Sequence, residues 1–130
     1  MPHLTIEHSE NLASLTDLSQ LCLVLRDAML ETGIFPHGGI RVRCVSCPHY
    51  AIADGHPHNA FAAMVVRMGA GRSLEDKQQA GAAIMATAEQ HFGALLTSGY
   101  FMLSLDMVEN DPELSWKTNS VHARLKKATS

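Results

Sequence analysis

The residue at position 2 is a proline preceded only by a methionine. A small second residue usually permits removal of Met1, which would leave Pro2 as a secondary amine at the start of the chain. An α-amino group ordinarily titrates at about 7.7 to 8.0, and burial beside cations disfavours its charged form, so a suitable pocket would keep it neutral and basic. Pro2 is therefore a candidate proton carrier. The alternative is that it only begins a strand, where its missing N–H group does no harm.

Two arginines could hold an anion beside such an amine. Arg72 precedes Ser73, a predicted helix N-cap, and a guanidinium next to the free N–H groups of a helix N-terminus suits a carboxylate. Arg41 falls on a predicted strand that we expect to be mostly buried, where an unpaired guanidinium needs an acidic partner or an anionic ligand. Arg43 faces the same side of that strand. The alternatives are a solvated loop position for Arg72 and a structural salt bridge for either strand arginine.

A second cluster contains residue types that bind zinc. It comprises Cys44-x2-Cys47-x-His49, with His56 and His58 nearby, and thiolate and imidazole are the usual zinc ligands. However, there is a single Cys-x2-Cys pair, and Cys44 lies on a predicted strand whose alternate residues face apart. We therefore predict no metal site.

Composition limits the other classes of function. The chain has 130 residues, of which 46% are hydrophobic and 18% charged, with a net charge of -3, so one domain spanning residues 1–130 is expected. This charge gives no general attraction to nucleic acid or to an anionic membrane.

No apolar run approaches the roughly 20 residues that span a bilayer, and the first residues do not form a signal peptide. Three cysteines, an odd count, predict free thiols in a reducing compartment. We expect a cytoplasmic protein.

A short internal repeat organises the chain. Residues 14–20 recur at 73–79, with matches at Ser, Leu, Asp and Gln and an offset of 59. In each copy a serine is followed three residues later by an acid, a variant of the capping box, so helices are predicted to begin after Ser14 and after Ser73. Strands are predicted on either side of each helix, at residues 3–8, 39–45, 61–68 and 100–108.

The predicted elements form two β-α-β units, which are pseudo-repeats over about residues 2–46 and 60–109. An exposed connection at 46–59 joins them, and a tail of uncertain structure spans 110–130. Each crossover makes the two strands of a unit parallel and places both helices on one face of a combined sheet, which predicts an α+β fold. The face of the sheet without helices must be covered by other protein surface, and we expect the association of subunits into a ring to cover it.

The repeat duplicates neither arginine. The position 59 residues before Arg72 is Ala13, and the position 59 residues after Arg41 is Tyr100. Each chain should therefore carry one set of site residues.

The strings that carry these features resemble known families. Residues 2–7 (PHLTIE) and 71–78 (GRSLEDKQ), with the duplicated pattern, resemble the tautomerase superfamily, which includes 4-oxalocrotonate tautomerase and macrophage migration inhibitory factor. Five strings, in order, resemble the 5-carboxymethyl-2-hydroxymuconate Δ-isomerases: residues 32–36 (TGIFP), 39–43 (GIRVR), 53–55 (ADG), 69–75 (GAGRSLE) and 119–123 (NSVHA). The resemblance covers nearly the whole chain.

This resemblance implies a homotrimeric isomerase of aromatic-acid breakdown that needs no cofactor. The Pro2 amine would take the proton of the 2-hydroxyl group of a small carboxylated substrate and return one to a distant carbon. Arg41 and Arg72 would bind the substrate, with Arg41 favoured over Arg43. Trp116 stands where relatives place an aromatic residue in the apolar wall near the proline, although it could instead pin the tail onto the core.

Two other functions remain open at this point. A related tautomerase acting on another keto-enol acid, such as phenylpyruvate, would keep Pro2 and the arginines. A non-catalytic binding module would keep the fold alone.

Overall fold

Two β-α-β units and a C-terminal helix make up residues 1–128, the part of the chain that the computed structural model describes. The last two residues of the predicted tail lie outside it. The elements are β1 (His3–Ser9), α1 (Leu18–Glu31), β2 (Arg41–Cys47), β3 (Ala60–Gly69), α2 (Leu74–Phe92), β4 (Phe101–Asn110) and α3 (Ser120–Ala128). Residues 48–59, within the predicted connection, form no helix or strand.

The four strands form one sheet in the order β2-β1-β3-β4. β1 pairs parallel with β2, β3 pairs parallel with β4, and β1 pairs antiparallel with β3. These pairings confirm the tandem β-α-β architecture and the α+β class. Alternate side chains of the central strands are buried under the helices, which identifies the covered face. The core includes Leu4, Ile6, Met64 and Val66 from the strands and Leu21, Leu25, Met29, Ala80, Ile84 and Ala88 from the helices.

The predicted start of the first helix is wrong. Ser14 ends a 3-10 turn, Glu10–Ser14, which is held in place by the fully buried Leu12. α1 begins at Leu18, and its N-cap is Asp17, whose side chain accepts a hydrogen bond from the Gln20 N–H at 3.0 Å. Asp17, the predicted acid of the capping box, is thus the cap itself, since aspartate caps helices as well as serine does.

The second helix begins as predicted. Ser73 is the N-cap of α2, and its hydroxyl accepts a hydrogen bond from the Asp76 N–H at 3.1 Å. The two N-caps are therefore Asp17 and Ser73, so the repeats align with an offset of 56 rather than 59 at this point. Position 16, a threonine, then corresponds to Arg72. Arg72 still has no counterpart in the other repeat.

The tail folds back onto the loop before β2. α3 contacts the 3-10 turn His37–Gly39, and a Cβ atom at Gly38 would lie only 2.3 Å from the His122 Cα. A Cβ atom at Gly39 would lie 3.2 Å from the Pro2 Cδ. Glycine at these two positions lets the tail, the loop and the chain start meet at one end of the sheet.

The sheet face opposite α1 and α2 has no helix over it in the described residues. It exposes apolar side chains, including Val65 (36% exposed), Val45 (44%), Val108 (46%) and Met102 (57%). The strands at the two sheet edges, β2 and β4, each pair on one side only. None of the described helices is both long enough and apolar enough to cross a membrane.

Candidate active site

A cavity of about 470 Å³ opens where the chain start, the loop before β2, the end of β3 and the tail converge. Its polar walls include the side chains of Arg72, Lys117, Asn119 and His122, and Met1 lines it as well. A larger cavity of about 560 Å³ lies between α2 and β4. The walls of that cavity are mainly apolar, and its two charged groups, Lys77 and Glu109, form an ion pair with each other. The smaller cavity is therefore the better candidate for chemistry.

Arg72 is held rigidly at the wall of this cavity. Its Nε donates a hydrogen bond to the Ile34 carbonyl at 2.9 Å, and its Nη1 donates one to the Gly69 carbonyl at 3.0 Å. The guanidinium carbon lies 5.1 Å from the centroid of the Phe35 ring, a cation–π contact. Arg72 forms no salt bridge within residues 1–128. An oriented cation without an acidic partner is suited to bind an anionic ligand.

The start of the chain lies in the same cavity. Pro2 is buried, and because Met1 is attached to it, its nitrogen is an amide in this structure. The Met1 sulfur accepts a hydrogen bond from the Asn119 Nδ2 at 3.0 Å. Burial lowers the pKa of the Met1 amine from its usual 8.0, and the cations Lys117, Arg72 and Arg41 lower it further. This end of the sheet therefore disfavours a protonated amine.

Three residues of the tail that close the cavity, Lys117, Asn119 and His122, are not among the predicted site residues. Asn119 caps α3, since its Oδ1 accepts a hydrogen bond from the His122 N–H at 2.9 Å. Its Nδ2 also donates to the Gly38 carbonyl at 2.8 Å, which fixes the tail to the loop before β2. Lys117 lies two residues earlier and brings an ammonium group to the cavity. An asparagine directly before residues 120–128, a run without Pro or Gly, is the signal that could locate this cap.

Arg41 lies beside the cavity and does not line it. The expectation that its strand is mostly buried is wrong: no residue of β2 is fully buried and Arg41 is exposed, because β2 is an edge strand and Arg41 faces the side of the sheet without helices. Its Nε donates to the Gly39 carbonyl at 3.2 Å. The Arg43 Nη1 lies 3.2 Å from the His3 Nδ1. Neither arginine has the salt bridge that was the alternative, within the described residues.

A cationic cluster results at this end of the uncovered face. Burial lowers the pKa of His3, and Arg41, Arg43 and Arg67 lower it further. The register places His3 between Arg41 on β2 and Arg67 on β3. A protein with a net charge of -3 thus concentrates positive charge around the start of its chain.

The family model for 5-carboxymethyl-2-hydroxymuconate isomerase matches residues 2–125 of this chain. The chain therefore belongs to the 5-carboxymethyl-2-hydroxymuconate isomerase family. A family member from Escherichia coli, a 5-carboxymethyl-2-hydroxymuconate Delta-isomerase, is 40% identical over 126 residues, which is 97% of this chain and 100% of the relative. These findings confirm the resemblance and the prediction of an isomerase.

Solved structures agree with this membership. The crystal structure of a 5-carboxymethyl-2-hydroxymuconate isomerase from Deinococcus radiodurans R1 is 38% identical, with a TM-score of 0.88 over 95% of this chain and 93% of the other. A macrophage migration inhibitory factor-like protein from Entamoeba histolytica is 16% identical, with a TM-score of 0.61 over 92% of this chain and 96% of the other. The latter shares the fold, which confirms the predicted tautomerase-like architecture.

Trp116 of this isomerase lies outside the cavity. Its side chain is 85% exposed, and that of the nearby Leu114 is 71% exposed. Trp116 therefore does not pin the tail onto the core of its own chain. In a single subunit, Arg72 and Met1 line the cavity and Pro2 is buried next to Met1, whereas neither Arg41 nor Trp116 lines it.

The cysteines and histidines of the isomerase do not gather around one point. Strand alternation places Cys44 on the covered face of β2 and Cys47 on the other. Within the described residues, no group of three or more His, Cys, Asp or Glu side chains could hold a metal ion.

Proposed function

We propose that this protein converts 5-carboxymethyl-2-hydroxymuconate to its conjugated ketone, with the amine of Pro2 as the proton carrier after removal of Met1. The amine takes the proton of the 2-hydroxyl group and returns one to a distant carbon of the same substrate. The observation that carries the proposal is the position of the chain start, which lies in one cavity with Arg72 and Lys117. Neither cation is paired with an acid within residues 1–128.

The surroundings of Met1 support the role of Pro2. The cations that lower the pKa of the Met1 amine surround the end of the chain, so they would act in the same direction on a Pro2 amine. A lowered pKa keeps more of the amine neutral at neutral pH, and the neutral form is the base. Removal of Met1 also vacates the space beside Asn119 that the methionine side chain occupies.

Arg72 is proposed to bind a substrate carboxylate. The two backbone carbonyls and the Phe35 ring already fix its guanidinium, so little side-chain entropy is lost when a ligand binds. Its positive charge stabilises the anion and disfavours protonation of the amine at the same time. This double role explains why an acidic protein keeps an unpaired arginine in the cavity.

We also propose that the protein is a homotrimer in which Arg41 and Trp116 act at the contact between subunits. Arg41 faces the uncovered side of the sheet, where it would meet a carboxylate of the substrate. Trp116 is exposed next to the cavity-lining Lys117, and in the trimer it would form the apolar wall of the site. The uncovered sheet face and its exposed valines support association, because a large apolar surface in water is unfavourable.

The oligomeric state can be measured by light scattering coupled to gel filtration. We expect a mass three times the chain mass of 14.1 kDa at micromolar concentration, because the exposed apolar face then becomes buried. A monomeric mass would refute the trimer.

An ultraviolet assay tests the proposed reaction. Met1-free protein should isomerise 5-carboxymethyl-2-hydroxymuconate with a higher kcat/KM than it shows for phenylpyruvate, because the first substrate offers more carboxylates to the cations of the site. A preference for phenylpyruvate would indicate a different tautomerase. Turnover of neither substrate by correctly folded, Met1-free protein would refute the proposed function.

Replacement of Lys117 by Ala should lower kcat/KM on the carboxymethyl substrate by about tenfold, since the site loses one of its cations. The same variant should affect phenylpyruvate less, and Lys117→Arg should restore most of the activity. Arg26→Ala is a control of equal charge change, because Arg26 is exposed and paired with Asp27 on α1. If the Lys117 and Arg26 variants were equally active, Lys117 would have no role in binding.

A further inference from the structure

Two thiols contact each other outside the candidate active site. Cys22 lies on α1 and Cys44 on β2, and their Sγ atoms are 3.6 Å apart. Both side chains are half-buried, and Cys44 packs against the hydrophobic core on the covered side of the sheet. Neither residue lines the cavity that holds the chain start.

We propose that Cys22 and Cys44 are a site of reversible oxidation, at which a peroxide converts the two thiols to an intramolecular disulfide. A disulfide has an S–S distance of about 2.05 Å, so the two sulfur atoms must approach by about 1.5 Å. α1 already packs on β2, and the sulfurs face each other between these elements. The fold thus brings together two side chains that are distant in the sequence.

The chemistry is a two-electron oxidation. The Cys22 thiolate attacks a peroxide oxygen, so an S–O bond forms, the O–O bond breaks, and hydroxide leaves as water after it takes up a proton. The Cys44 sulfur then attacks the sulfur of the Cys22 sulfenic acid. The S–S bond forms, the S–O bond breaks, and a second water carries away the Cys44 proton. In sum, two thiols and one hydrogen peroxide give one disulfide and two waters.

The surroundings of Cys44 indicate which of the two cysteines reacts first with the peroxide. Burial and the neighbouring Cys22 raise the pKa of Cys44 to about 12, so Cys44 remains a thiol at neutral pH and reacts poorly with peroxide itself. It is placed instead to resolve a sulfenic acid formed on Cys22. Cys44 therefore limits the further oxidation of its partner.

Cys47 is a matched internal control. It is three residues from Cys44 in the sequence, but strand alternation places it on the opposite face of β2. In an unfolded chain, the short separation would favour a bond between Cys44 and Cys47. The folded chain should select Cys22 and Cys44 instead.

The test uses the full chain, reduced and then treated with a small excess of hydrogen peroxide. Free thiols are alkylated, the protein is digested without reductant, and the linked peptides are identified by mass spectrometry. We expect a Cys22–Cys44 linked peptide as the main product, with alkylated Cys47, and full reversal by dithiothreitol. The Cys47→Ser variant should give the same link, whereas Cys22→Ser and Cys44→Ser should each abolish it.

The same oxidation in concentrated urea should lose this selectivity, which would show that the fold brings the pair together. A main product linking Cys44 to Cys47, a link between two chains, or oxidation of Cys22 to sulfinic acid without a disulfide would each overturn the proposal. So would alkylation of Cys22 and Cys44 after peroxide treatment that oxidises Cys47. No enzymatic activity is measured, so the outcome does not depend on the proposed function.

Discussion

Protein that retains Met1 is expected to lose nearly all of the isomerase activity of Met1-free protein. The loss should be at least about 100-fold, the lower range of the contribution of a positioned acid–base group. Acylation delocalises the lone pair of the Pro2 nitrogen into the carbonyl group, so the nitrogen cannot accept a proton near neutral pH. The methionine side chain also occupies part of the cavity, where its sulfur contacts Asn119. Either effect alone would impair the reaction.

The comparison requires two samples whose masses are verified, assayed on the same substrate. Their circular dichroism spectra and oligomeric states should agree, because Met1 is not part of the hydrophobic core. Equal activity in the two samples would remove Pro2 from the mechanism. The next candidate bases are then His3, His8 and Glu7 on β1. Of these, His8 is buried with its Nδ1 2.8 Å from the Ser9 carbonyl oxygen, and His3 lies among three arginines.

Replacement of Arg72 by Ala should lower kcat/KM on the carboxymethyl substrate by about 30-fold or more, which corresponds to about 2 kcal/mol. The variant loses the cation that the Ile34 and Gly69 carbonyls hold in place. It also loses a positive charge that lowers the pKa of an amine at the chain start. The acid limb of the pH profile should therefore move to higher pH, because a smaller fraction of the amine is neutral at a given pH.

The Arg72→Lys variant distinguishes the effect of the positive charge from the effect of the guanidinium geometry. Arg72→Lys keeps the charge but cannot reproduce both carbonyl contacts and the contact with the Phe35 ring, so its activity should fall between those of the wild type and Arg72→Ala. Arg26→Ala, which removes an exposed cation on α1, is the control. Wild-type kcat/KM in the Arg72→Ala variant would show that this arginine does not bind substrate.

Local patterns in the sequence predict most of the fold. The four strands lie within about two residues of their predicted positions. The prediction succeeds because alternating apolar and polar residues, rich in β-branched side chains, are typical of strands in a half-buried sheet. The predicted start of α1 is wrong because Ser14 and Asp17 both cap helices well, and only the burial of Leu12 in the preceding turn decides between them. The spacing of residues in the sequence does not indicate that Leu12 is buried in the folded chain.

The candidate site was less predictable. The conformation of Arg72 depends on carbonyl groups at Ile34 and Gly69, which no motif specifies. The exposure of Arg41 follows from the position of β2 at the edge of the sheet, which the order of elements alone does not determine. Lys117 enters the cavity because the tail docks at Gly38, a contact between residues about eighty positions apart.

The central claim is that the Pro2 nitrogen carries the proton. The measurement that tests it most directly is the NMR titration of an isotopically labelled Pro2 nitrogen in Met1-free protein. We predict an apparent pKa below the ordinary value of about 7.7 to 8.0, equal to the pKa of the acid limb of kcat/KM, since activity is lost as pH falls and the amine becomes protonated. A nitrogen that titrates at or above the ordinary value, or at a pH where kcat/KM does not change, would contradict the claim.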